Sequence, residues 1–148
     1  MTPNALRACS AFVFVCSVAV LLMAAWLTPD PSGLGTHTQL GLEPCISMSA
    51  LRLPCPMCGM TTTFSLMADF RPFDALSNQP FGVVLFLLTA MAAIVAGFEI
   101  VDPRKRWIAI IRVLEPYKLL ILIVLFGLFF VSWLYKIAVV REMFTPIA

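Results

Sequence analysis

Charge is the scarcest commodity in this chain. Its 148 residues include eight acidic and ten basic side chains, 12% in all, where a soluble globular domain usually carries about twice that share. A net charge of +2 without a basic run is too weak a field to hold nucleic acid. No hydrophilic stretch is large enough to enclose a core of its own. The chain also lacks a hydrolase triad, a phosphate-cradling glycine loop and a paired-carboxylate motif, and there is a single histidine, His37.

What fills the sequence instead is apolar surface, 61% of all residues. It is concentrated in three runs, at 8–27, 80–98 and 119–135, the last continuing to Val140. Each approaches the roughly twenty residues that a helix needs to cross the hydrocarbon core. Inside a bilayer every backbone polar group must be paired within its own segment, so such runs are helices. The expectation is an all-α integral membrane protein forming one membrane domain over 1–148. Its spans fall at about 8–27, 80–101 and 117–140, and the lipid bilayer is its first partner. The first run follows Arg7, as a secretory signal would, but it is longer than a signal's apolar region and no small-x-small cleavage site follows. Ala24-Ala25 run into Trp26, an interfacial anchor, so the run reads as an uncleaved anchor helix.

Lysine and arginine set orientation, because positive loops stay in the cytoplasm. Arg104, Lys105, Arg106, Arg112 and Lys118 cluster between the second and third runs, whereas the longer first loop holds only Arg52 and Arg71. With Arg7 before the first helix, this predicts a cytoplasmic N-terminus in a cell (inner) membrane and a loop 28–79 facing outside. Lys136 and Arg141 blunt the contrast at the far end. In 102–116, Asp102 suits an N-cap and Pro103 the first helical position. Trp107, Ile110, Ile111 and Leu114 recur at helical spacing, with Lys105 and Arg112 opposite. That pattern fits an amphipathic helix on the inner surface, or equally an extension of the third span kinked at Pro116.

Within the spans, Gly82, Ala90, Ala92, Ala93, Ala96 and Gly97 make the second helix small-faced. Ala93 and Gly97 form a small-x-x-x-small pair that suits a helix partner or a homo-oligomer. The bulky third span is expected to meet lipid. Glu99 falls at the inner end of the second span, within reach of water. Cys9 and Cys16, seven apart on the first helix, read as small packing residues.

The chemistry lies in the loop. After turn formers at 28–33 and a Gly-flanked His37 comes Cys45, then the apolar stretch 46–53, then Cys55-Pro56-Met57-Cys58-Gly59. Met60, Phe64 and Met67 form a helical stripe, and Phe70, Phe73 and Leu76 keep the segment greasy. A short helix that re-enters between the spans or lies at the interface is expected. Asp69 and Asp74 flank Arg71 as a solvated cluster. Thr61, Thr62 and Thr63 are expected to cap the helix, as threonine commonly does. The Cys-Pro-x-Cys-Gly turn admits three chemistries. As a metal knuckle it directs two sulfurs to one side, and His37 and Cys45 complete the four ligands that zinc prefers. As a redox pair, Cys55 and Cys58 at a helix start favour a thiolate. As a staple, Cys45 pairs with Cys55 or Cys58, which leaves one loop cysteine over.

These residues resemble a bacterial family of small membrane proteins classed as domain of unknown function 2752. Its mark is Cys-Pro-x-Cys-Gly-x-Thr-Arg between the first two spans, with another cysteine upstream and Asn-Pro or Gln-Pro opening the next span. Cys45, Cys55, Pro56, Cys58, Gly59, Thr61 and Gln79-Pro80 fit it, while Thr62 stands where many members have arginine. Gly35 to Leu42 resemble a branch with Gly-Thr-His-x-Gln-Leu-Gly-Leu. The resemblance covers 33–88 and implies a fold rather than an activity. Three functions follow from the residues. The first is a non-catalytic membrane component with a Cys/His-organised external loop. The second is a membrane thiol–disulfide oxidoreductase using Cys55 and Cys58. The third is an accessory subunit of a larger membrane complex.

Overall fold

The computed structural model describes residues 3–51, 53–103 and 106–144. Arg52, Arg104 and Lys105, three of the charges that predict orientation, lie outside the described residues. Three helices are long and apolar enough to cross a membrane: Asn4–Trp26, Pro80–Val101 and Arg106–Glu142. The first belongs to α1 (Pro3–Trp26). Three short helices occupy the loop, α2 (Ile46–Leu51), α3 (Met60–Ala68) and α4 (Pro72–Asn78). The second span is α5 (Pro80–Val101). In the third, α6 (Arg106–Leu114) passes through a single 3-10 turn, Glu115–Tyr117, into α7 (Lys118–Phe144). No strand occurs among the described residues.

The small residues of α5 are used within the chain. Ala93 and Ala96 are buried, α1 and α5 share the most extensive helix interface, and a Cβ on Gly97 would come within 3.3 Å of the Phe14 ring. α1 answers with a stripe of Leu6, Ser10, Ser17 and Ala24 at helical spacing, all buried. Cys9 and Cys16 fall off that stripe and are exposed, contrary to the packing role expected of them. α7 packs against α5 near Phe81 and Phe129, whose rings meet edge to face at 5.3 Å. Along its length Leu119, Leu122, Ile123, Phe126 and Val131 stay uncovered, as a lipid-facing helix requires.

The turn after α5 departs from its sequence signals. Asp102 closes α5 through its N–H to the Phe98 carbonyl, and the start of the helix expected after it falls on Arg104 and Lys105, outside the described residues. The N–H of Arg106 is accepted by the Glu99 carboxylate at 2.9 Å. Glu99 is fully buried, not water-facing, and the Arg106 guanidinium lies 3.7 Å from it. A carboxylate at a helix start satisfies an otherwise free N–H, which explains why Glu99 is drawn inward.

α3 is the centre of the loop, packed between α1, α4 and α5 with Thr62, Thr63, Ser65 and Leu66 buried. It re-enters the helical assembly rather than lying on it.

Candidate functional site

The site begins with a backbone turn. Cys58 N–H donates to the Cys55 carbonyl at 3.0 Å and Cys55 N–H to Cys58 Sγ at 3.3 Å, which folds Cys55-Pro56-Met57-Cys58 back on itself. Gly59 then takes φ +87°, and α3 starts. A Cβ there would lie 2.7 Å from the Gly33 carbonyl oxygen, so glycine is required by conformation and by space. Gly59 caps α3 without a side-chain hydrogen bond. The threonines do not cap it either. Thr62 Oγ1 accepts from Thr36 Oγ1 at 2.9 Å, and Thr63 Oγ1 accepts from Asn78 Nδ2 at 2.9 Å. Both side chains turn inward from the first turn of α3 and tie it to its neighbours.

Cys45 arrives from the other side, at the start of α2. The ligand atoms of Cys45, Cys55 and Cys58 all lie within 4.8 Å of one another, with Cys55 Sγ and Cys58 Sγ 3.2 Å apart. Cys58 is buried and the other two are half-buried. The three sulfurs open on a cleft of about 160 Å³ whose wall includes His37, Met57 and Thr61. His37 is thus a neighbour of the sulfurs, although its ring nitrogens are not part of the 4.8 Å set. Zinc or another thiophilic cation is matched by two thiols of one turn and a third from ten residues upstream, with an imidazole on the wall of the same cleft.

Burial and hydrogen bonds divide the thiols. At Cys45 desolvation opposes the anion, but the Met48 N–H, the Cys58 and Cys55 thiols and the Ser47 N–H outweigh it and draw the thiol down to about 7. At Cys58 burial comes first, and its hydrogen bonds with Cys55 and Cys45 add to it, pushing the thiol upward. Of these two thiols Cys45, the residue outside the Cys-x-x-Cys turn, is the one that ionises first.

Elements distant in sequence hold the turn in place. Gln79, the residue before α5, donates from Nε2 to the Pro56 carbonyl at 3.0 Å. Trp133 on α7 donates from Nε1 to the Pro54 carbonyl at 3.0 Å. Lys136 Nζ donates to the Asn78 side-chain oxygen at 2.6 Å and the Gly33 carbonyl at 3.2 Å. Asn78 Nδ2 in turn donates to the Gly59 carbonyl at 3.0 Å. In the sequence Lys136 figures only in the charge count. A lysine inside an apolar run is itself the signal that could have found it.

Residues 45–93 match the model of a family described as a protein of unknown function, DUF2752. Over that third of its length the chain is similar to this family. The DUF2752 segment starts at Cys45, takes in the Cys-x-x-Cys turn, α3 and α4, and ends midway along α5. It therefore contains all three converging sulfurs and Gln79, which braces their turn. No curated protein and no solved structure matches the chain.

Proposed function

We propose that this protein is a non-catalytic membrane component whose first loop is organised by a thiolate metal site of the zinc type, facing the outside of the cell membrane. The observation that carries this reading is the convergence of Cys45 with Cys55 and Cys58. A simple redox pair has no need of a third sulfur at the same point, whereas a structural zinc site takes three or four. His37, on the wall of the cleft, is the fourth ligand after a small rearrangement. A loop that encloses little core of its own gains from such a cross-link. The exposed faces of α5 and α7 leave room for the assembly of this component with a partner or a second copy.

The test is metal content in purified full-length protein. About one equivalent of metal is expected per chain, lost in Cys45→Ser, Cys55→Ser and Cys58→Ser and weakened in His37→Ala. Stoichiometric metal in Cys45→Ser would overturn the three-sulfur site. The outside orientation predicts that, after chelation, a membrane-impermeant maleimide labels Cys45 on intact cells. Labelling only in lysed cells reverses the topology.

One observation favours a second reading. Sulfurs around a tetrahedral zinc, with bonds of about 2.3 Å, stand roughly 3.8 Å apart, but Cys55 and Cys58 are at 3.2 Å. A membrane thiol–disulfide oxidoreductase uses such a contact, reducing a partner disulfide as its own dithiol is oxidised. Mixed disulfides trapped by Cys58→Ser, in protein that carries no metal, would select this function.

A further inference from the structure

Lys136 poses a problem of charge. It is 3% exposed, and its two hydrogen-bond acceptors, the Gly33 carbonyl and the Asn78 amide oxygen, are both neutral. No carboxylate of the described residues lies within ion-pair distance of it. A buried ammonium without a counter-charge is costly, and proteins retain one where an anion completes it. An ammonium has three donors, so one remains beyond the two in use.

Lys136 lines a cavity of about 360 Å³, distinct from the sulfur cleft and separated from it by the Gly33 and Gly59 backbone. That volume is within the range of small-ligand pockets. Two carboxylates share the lining, and both are engaged. Asp74 Oδ2 accepts from Arg71 Nε at 2.8 Å, and Asp30 Oδ1 accepts from the Ser32 N–H at 2.8 Å and hydroxyl at 2.6 Å. The uncommitted charge is the lysine at the inner end. Arg71 uses only Nε for Asp74, so its two terminal nitrogens remain as donors at the exposed mouth, alongside the Ser77 hydroxyl.

We propose that this cavity binds a phosphate-type oxyanion, with Lys136 as the buried point charge and Arg71 and Ser77 as donors at the entrance. Several acceptor oxygens on one centre match donors spread over several directions, and arginine with lysine is the usual pairing for phosphate. The cavity lies beside the last turns of α7, where Lys136 and Val139 meet the loop residues Pro29 to Gly33. A phospholipid headgroup and a soluble phosphate both present this chemistry. Cys58 faces the same ammonium across the Gly59 backbone, so a thiolate there competes with the bound anion and the test is made on protein of stated metal content.

The experiment uses full-length protein in neutral detergent, with thermal unfolding and native mass spectrometry as readouts. Inorganic phosphate is compared with chloride at equal ionic strength, and phosphatidylglycerol with a phosphate-free glycolipid bearing the same chains. A rise of several degrees in Tm with phosphate identifies a soluble source. Retention of phosphatidylglycerol but not the glycolipid identifies a headgroup. Lys136→Gln should abolish either effect. Because Lys136 also holds Asn78, Arg71→Gln and Ser77→Ala serve as folded controls at the exposed mouth, each expected to weaken binding several-fold. No response to phosphate or phosphatidylglycerol, or equal responses in wild type and in both mouth variants, would overturn the proposal.

Discussion

Gly59 carries two constraints at once, a left-handed backbone and a neighbouring carbonyl with no room for a methyl group. Gly59→Ala should therefore destabilise the loop by about 2 kcal/mol or more, measured as a lower Tm and faster proteolysis of the loop. Unchanged stability would show that the turn is free to relax. Cys45 gives a pH signature in reduced, metal-stripped protein. Its thiol is drawn down to about 7, so the anion accumulates as pH rises through that value. Alkylation at Cys45 should be half-maximal near pH 7, below the roughly 8.5 of an ordinary thiol, while Cys58, pushed the other way, stays unreactive there. By the same sign, the stability that the Cys45 anion contributes is present above the ordinary thiol range and fades as pH falls through about 7. The cysteines were legible in the sequence because Cys-Pro-x-Cys-Gly is a local turn. The lowered Cys45 thiol was not, because it depends on Met48 and Ser47 amides that only folding aims at Cys45.

Among the elements, α3 ends in a Schellman arrangement: Phe70 N–H donates to the Met67 carbonyl at 3.3 Å and Arg71 N–H to the Leu66 carbonyl at 2.9 Å. The left-handed residue of this motif is usually glycine, yet here it is Phe70 at φ +57°. That backbone costs a side-chain-bearing residue about 1–2 kcal/mol, and Phe70 recovers none of it by burial, being 93% exposed. Phe70→Gly should raise the Tm in detergent by an amount corresponding to about 1 kcal/mol, and a fall would show that the ring is engaged. The three spans were legible because an unbroken apolar run is a local signal, whereas the stripe Met60, Phe64 and Met67 is only half-buried and α3 turns Thr62, Thr63, Ser65 and Leu66 inward. Glu99, seven residues upstream, accepts the Arg106 N–H, a contact that no local helix-start signature announces. The threonines misled, their partners being Thr36 and Asn78 rather than their own helix.

On the scale of the whole molecule, the third span is the clamp that holds the loop against the other two. Trp133 reaches Pro54 across 79 residues and Lys136 reaches Gly33 across 103, while Tyr135 donates to the Ser77 carbonyl at 2.8 Å. Such contacts have no periodic signature, which is why the sequence marks the sulfurs but not what fixes them. Trp133→Phe keeps an aromatic ring but removes the indole N–H and some packing, at a cost of about 1 kcal/mol or more. It should accelerate loss of metal to a chelator while leaving the three spans folded, and an unchanged release rate would remove α7 from the clamp. The central claim is that three cysteines meet on one cation. X-ray absorption at the metal edge of the purified protein tests it most directly. The account predicts three sulfurs at about 2.3 Å with one nitrogen or oxygen at about 2.0–2.1 Å, and a shell with two sulfurs or fewer, or protein that binds no metal, would contradict it.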